Sequence, residues 1–398
     1  MGGFWILGIA LIAVILWDVF ETIILPRRVT RRFRLARMFY RSTWRPWRFV
    51  ACLLQRKKNL RESFLGYYGP LSLLALFVVW AVGLIFGFAM LHYGAGSAIN
   101  LAPNQRPGFW SDLYLSGTTF FTLGLGDVTP RTEAARIITV FESGLGFGFL
   151  ALVISYLPVL YGAFSAREVN ISLLDARAGS PPSASEMLRR LAQRQNPQAF
   201  EQNLYDWEKW SAQLMESHLS YPVLCYFRSQ HNNQSWLAAL TTVLDVSALL
   251  IAYGQGALKW QAKLTFAISR HALVDLAQVL NTPPLEFKEE RLPREELQEL
   301  HKLLIGAELS TCCPEDDQHL EDLRHMYEPY ARALSDRLLM PIGKWAPEKA
   351  IRDNWRTSAW GRISADANSS SHHRAARSSH HSAAQPSPIL DADEEEHF

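Results

Sequence analysis

Cysteine is scarce in this chain: four among 398 residues, Cys52, Cys225, Cys312 and Cys313. None forms a Cys-x-x-Cys pair, and adjacent Cys312 and Cys313 have no second pair nearby with which to clamp a metal. A disulfide framework is excluded, and all four read as reduced thiols in a cytosolic setting. Net charge is also nearly absent, at +2, and no nucleic-acid partner is expected. No Gly-x-Gly-x-x-Gly follows a strand, and no Walker or His-Glu-x-x-His motif occurs. His218, His231 and His271 read as ordinary surface or core residues. No cofactor and no catalysed reaction are therefore expected. With 48% apolar residues, collagen-like and fully disordered chains are excluded too.

The near-neutral total hides segregation. Residues 1–168 carry 17 Lys and Arg against 8 Asp and Glu, and residues 169–398 carry 23 against 30. Nearly all the long apolar runs fall in the first part. Phe4–Leu25 has the length of a membrane span, with no basic leader or Ala-x-Ala cleavage site that would mark a removed signal peptide. Pro70–His92 lacks any full charge, and its Gly83 and Gly87 allow a neighbouring helix to approach closely. Ala134–Phe164 is longer than a bilayer needs.

Between the first two runs, Arg27 to Glu62 holds 13 cations against one carboxylate. The positive-inside rule places this loop in the cytoplasm, the N-terminus outside, and everything after the third span in the cytoplasm. Arg28, Arg31, Arg34 and Arg37 recur every third residue, but the segment is too polar to cross a bilayer. It reads instead as an interfacial helix on anionic lipid, with Trp44 and Trp47 at the headgroup level. Asp18 and Glu21, on one face near the end of the first span, either reach the water interface or pair with arginines inside the membrane.

Phe109–Pro130 (FWSDLYLSGTTFFTLGLGDVTP) is too short and polar to span. It reads as a re-entrant helix over 109–121 followed by an extended, glycine-punctuated loop. Irregular backbone at membrane depth is viable only when buried in protein or lining a watery cavity. The loop Thr122-Leu123-Gly124-Leu125-Gly126-Asp127 has a use there. Inward-facing carbonyls replace the hydration shell of a cation, and glycine adopts the backbone angles this demands. Thr122 adds a hydroxyl oxygen, and Asp127 sits behind the external mouth. One such loop per chain calls for several copies around an axis, most simply a homotetramer.

In this order of span, pore helix, T-x-G-x-G-D loop and span, residues 66–166 resemble the pore module of the potassium channel superfamily, prokaryotic type. The first span and the helical C-terminal half are additional to it. The resemblance implies K⁺ held at the backbone carbonyls of Thr122, Leu123, Gly124 and Leu125, with Leu115 and Thr118 supporting the filter. It also departs from the common form. Leu125 replaces the filter aromatic, and Leu115 replaces its hydrogen-bonding tryptophan on the pore helix. Gly146 falls where similar channels place an inner-helix hinge, and Pro158 removes a backbone bond further on. Close packing through Gly144 and Gly148 is the alternative use of these glycines.

The expected fold is an all-α membrane protein. It has three transmembrane helices, a re-entrant pore helix with a selectivity-filter loop, an α-helical cytoplasmic domain and a disordered tail. The expected boundaries are a transmembrane helix at 1–25, a basic segment at 26–65, the pore module at 66–166, a linker at 167–185, a helical domain at 186–345 and the tail at 346–398. Trp236–Tyr253 is nearly long enough to span, but Asp245 and its neighbouring hydroxyls favour a buried core helix. His372-His373 and His380-His381 read as solvated tail. The functional expectation is a potassium-selective channel of the plasma membrane, its partners anionic lipid at 27–61 and an unidentified cytosolic regulator. A weakly selective cation pore, or a membrane-anchored scaffold with a vestigial pore, are the alternatives.

Overall fold

The computed structural model of the chain describes residues 2–25, 34–101, 106–192, 197–231, 233–286, 290–306 and 315–346. Arg27, Arg28, Arg31, Arg32, Cys312, Cys313 and the tail from 347 onward, with its histidine pairs, lie outside the described residues.

The apolar runs fold into helices, two of them longer than the bilayer requires. α1 (Gly2–Val19) ends in one wider turn over Phe20–Ile24. α2 (Leu35–Leu53) is the amphipathic helix of the basic segment. α3 (Lys58–Gly94) has 37 residues, about 55 Å at 1.5 Å per residue. A two-residue strand β1 (Ile99–Asn100) leads to α4 (Phe109–Phe120), and β2 (Thr129–Pro130) follows the loop after it. α5 (Glu133–Ala178) is a single 46-residue helix, about 69 Å long. It starts at Thr132, whose side chain accepts a hydrogen bond from the Ala135 amide, and it stops at Gly179, where φ is +80°. α1, α3 and α5 are each long and apolar enough to cross a membrane. The protein is an all-α membrane protein.

The close approach anticipated at Gly83 and Gly87 is filled by α1. A Cβ on Gly87 would stand 2.6 Å from Ile12 Cγ1, and one on Gly83 would overlap Ile15. At the end of α1 both acidic side chains are turned into the protein. Asp18 is buried and accepts from the Trp80 indole at 2.9 Å and from the Ala36 amide at 3.0 Å. Glu21 accepts from the Trp17 indole and faces Arg34 at 3.6 Å. Buried carboxylates persist only when their oxygens are satisfied in this way.

Beyond the membrane part come α6 (Ala184–Ala192), α7 (Pro197–Ser220), a short 3₁₀ turn (Pro222–Tyr226), α8 (Trp236–Tyr253), α9 (Gly256–Val279), α10 (Arg294–Gly306), α11 (Glu315–His325) and α12 (Glu328–Leu338). Every residue of α8 is buried among its neighbours, so this apolar helix is a protein core rather than a span. Its Asp245 is matched by Arg291 at 2.7 Å and by the Tyr327 hydroxyl at 2.5 Å.

Two expectations change. The 167–185 segment is no loose linker: α5 continues to Ala178, and Gly179, Ser180, Pro182, Ser183 and Ala184 are buried. Its small polar residues serve a tight turn, with the Ser183 amide bonded to the Ala178 carbonyl. Trp44 and Trp47 pack on protein aromatics rather than standing free for lipid. Trp44 is buried against Tyr68 and Tyr226 and donates to the Arg337 carbonyl, while Trp47 stacks on Phe64 at 4.4 Å. An aromatic with a polar N–H suits a protein junction as well as a lipid interface, and here α2 is the wedge between α3 and the helical domain.

Candidate functional site

The loop between α3 and α5 is closed at its neck. β1 and β2 pair antiparallel, Ile99 opposite Pro130 and Asn100 opposite Thr129, and the Arg131 amide bonds to the Ala98 carbonyl. This clasp makes α4 and the chain after it a hairpin-like insertion, and α4 packs against both α3 and α5.

α4 ends in a Schellman arrangement. The Leu123 amide reaches the Thr118 carbonyl at 2.8 Å, and the Thr122 amide reaches that of Thr119 at 3.0 Å. The left-handed position of that motif is ordinarily glycine. Here it is Thr122, at φ +55°, which costs a β-branched residue about 1–2 kcal/mol. Gly124 and Gly126 follow with φ of +57° and +79°. Positive φ thus recurs at every second residue, 122, 124 and 126, a backbone that a regular extended chain does not have. Strain concentrated in one short loop is a mark of a functional segment.

Behind this loop the Tyr114 hydroxyl donates to Asp127 Oδ2 at 2.9 Å, tying the end of the loop back to α4. Leu115 is buried, and the Thr118 hydroxyl is spent on its own helix, at the Leu115 carbonyl. Leu123 and Leu125 are 60% and 63% exposed. A Cβ built on Gly124 or Gly126 meets nothing within 4 Å.

A polar cluster that the motif reading missed lies deeper. Ser116 donates to the Ile85 carbonyl at 2.8 Å and also bonds Glu142. Glu142 faces His92 at 3.6 Å, and Asp112 accepts from Ser97 at 2.6 Å. His92, Asp112, Ser116 and Glu142 are all buried, and they join α3, α4 and α5 behind the loop. The sequence signal was available: Asp112 and Glu142 are charges placed among apolar residues, which in a membrane protein are costly without a role.

Gly146 packs rather than stands free. A Cβ there would coincide with the Phe120 carbonyl oxygen and lie 2.9 Å from its carbonyl carbon. Gly144 and Gly148 meet nothing within 4 Å, so the close helix approach runs through Gly146 instead. α5 passes Gly146 and Pro158 without a break.

A pore-type insertion between two long helices, with a strained carbonyl loop after a short helix, defines the class: a membrane protein carrying an ion-channel domain. Residues 75–160 match the family model described as "Ion channel", within the segment that resembles the potassium-channel pore module. The chain is also 20% identical over 262 residues to "Uncharacterized membrane protein YdjJ" of Bacillus subtilis (strain 168), covering 66% of this chain and 75% of that protein. No solved structure matches.

Proposed function

We propose that the chain forms a potassium-selective channel, conducting K⁺ passively through a ring of TLGLGD loops from four copies, with no cofactor and no chemical step. The observation that carries this reading is the alternation of positive φ at Thr122, Gly124 and Gly126, which suits the carbonyls of Thr122, Leu123, Gly124 and Leu125 to replacing water around a desolvated cation. α4 adds to it, because its C-terminal end, with partial negative charge, leads directly into the loop.

Four-fold closure is supported by what one protomer leaves uncovered. Filter residues 121–127 are exposed, and so are Ile137, Val140, Phe141 and Phe147 on the following helix. Identical copies around an axis cover such a face. The arginines of α2 support, by the positive-inside rule, a reading with the helical domain in the cytoplasm and the pore in the plasma membrane, with anionic lipid along 27–61 and a cytosolic regulator on the helical domain as its partners. Gly146 and Pro158 are the inner-helix positions that bear on gating, Gly146 by seating the end of α4 and Pro158 by removing a backbone bond.

The test is Rb⁺ or K⁺ uptake into liposomes holding the purified protein, with Na⁺ as competitor. Uptake that Na⁺ fails to compete away supports the proposal; absence of any cation uptake refutes it. Equal competition by Na⁺ supports a second reading, a weakly selective cation pore. That reading is favoured by Leu125, which has no hydrogen-bonding side chain to hold the loop from behind.

A further inference from the structure

At the junction of the membrane helices and the helical domain lies a cavity of about 410 Å³. Its wall is basic. Arg34, Arg37, Arg41, Arg45 and Arg48 follow one another at spacings of three and four along α2, which places them on one face, and Arg337 of α12 joins them from the other side. Among the described residues no acidic one lines the cavity. Arg34 and Arg48 are engaged at the edge, by Glu21 and by Asp336. Arg41 and Arg45 are exposed, and neither makes an ion pair with a carboxylate among the described residues. The Nε groups of Arg48 and Arg337 are buried and have no hydrogen-bond acceptor, which is a costly arrangement.

The floor is of opposite character. Leu73 and Phe77 of α3, Tyr156 of α5, Ile23 at the end of α1 and Val223 before α8 form it. These apolar residues and the arginines line one and the same cavity. An arginine row over an apolar slot is the complement of an amphiphile with an anionic head and a hydrocarbon tail. Guanidinium forks match phosphate oxygens in bidentate fashion.

We propose that this cavity binds the phosphate headgroup of an anionic phospholipid, its acyl chain lying against Phe77, Leu73 and Tyr156. The inference rests on α1, α3 and α5 spanning a membrane and deepens the lipid contact given above for the basic segment. Occupancy joins α2, α3, α5 and α12 through one ligand, and so ties the pore helices to the helical domain.

The test is binding of dioctanoyl phosphatidic acid to the full-length protein in detergent, measured without reference to ion flux, so that a failed channel assay leaves it intact. Three probes are compared: the phosphatidic acid, dioctanoyl phosphatidylcholine and inorganic phosphate. The expected order places phosphatidic acid tightest. Arg37→Gln/Arg41→Gln/Arg45→Gln should weaken its binding by about tenfold or more. Arg56→Gln/Lys57→Gln/Lys58→Gln removes the same charge from exposed positions of the same segment outside the cavity, and should change it by less than about twofold. Equal losses in the two triples, or no loss in the first, overturn the site. Inorganic phosphate binding as tightly as the lipid overturns the lipid assignment, because the apolar floor then contributes nothing. Arg41→Gln alone, at an exposed side chain, repeats the comparison in a protein whose packing is untouched.

Discussion

One methyl group at position 146 separates packing from hinging. In Gly146→Ala the new Cβ would fall on the Phe120 carbonyl oxygen and 2.9 Å from Phe120 C and Cα, where carbon contacts settle at about 3.5–4 Å. Phe120 is the last residue of α4 and is fully buried. The obstacle is backbone, which cannot swing aside as the end of a flexible side chain would. Either α5 or the end of α4 has to shift by roughly 1 Å, an overpacking that costs about 1–3 kcal/mol. Helix propensity works in the other direction and returns at most about 1 kcal/mol for Ala over Gly. The clash outweighs it, and the shift passes to Thr122, two residues further on. The expected result is a thermal midpoint lowered by a few degrees together with K⁺ uptake reduced about tenfold or more, since a misplacement near 1 Å is enough to spoil a fitted site. Gly144→Ala and Gly148→Ala, which meet nothing within 4 Å in one protomer, are the controls. A Gly146→Ala protein with the stability and uptake of these controls would refute the packing argument. Unchanged stability with altered open probability would restore the hinge.

Tyr114→Phe removes the hydroxyl that holds Asp127, and K⁺ preference over Na⁺ in liposome uptake should fall while stability stays near wild type. Gly124→Ala forces a side chain to adopt φ +57°, a strain of about 1–2 kcal/mol, and should abolish selective uptake; an undiminished preference would defeat the carbonyl ring. His218, in the helical domain, is buried beside the Arg167 guanidinium, and burial first, then that charge, hold its pKa well below the ordinary 6.5. Its unfolded form takes up a proton before the folded form does, so its contribution is complete above about pH 6.5 and declines below it by up to about 1.4 kcal/mol per pH unit. Denaturant titrations from pH 7.5 to 5.5 should show this slope, and His218→Gln should lose it; equal slopes in both proteins would contradict the assignment.

What was legible in the sequence was periodicity, punctuation and charge. Three apolar runs marked the spanning helices, and alternate glycines marked the strained loop. In the second half, Gly254-Gln255-Gly256 and Pro283-Pro284 stand on either side of the helix Gly256–Val279. What was illegible was partnership. Asp18 is satisfied by Trp80 and Ala36, and Trp44 by the Arg337 carbonyl. Pairs so far apart along the chain leave no local pattern. Trp44 at an interface and Trp44 at a domain junction have the same neighbours in sequence and differ only in what the rest of the fold brings against them. The same holds for Gly146, where a glycine in a helix signals either flexibility or close approach, and only the position of Phe120 decides.

These contacts also bound where α5 can bend. On the filter side it is pinned at Gly146 against Phe120. On the other side Arg167 donates to the Leu224 carbonyl at 3.0 Å and to the Phe227 carbonyl at 3.1 Å, and pairs with Glu168. Phe227 in turn fills the space over Gly69 of α3, where a Cβ would stand 2.6 Å from its ring. Moving α5 at Arg167 therefore breaks charge-assisted bonds worth about 1.5–3 kcal/mol each and drags the 222–227 segment across α3. Between the two clamps lies Pro158, exposed and without an amide for the carbonyl one turn back. A gating bend at Pro158 leaves both clamps intact, whereas a bend at Gly146 has to open the contact that seats the end of α4. The geometry thus favours Pro158 over Gly146 as the flexing point. The helical domain is joined to α5 beyond that point, so a bend there would leave its contacts at Arg167 in place.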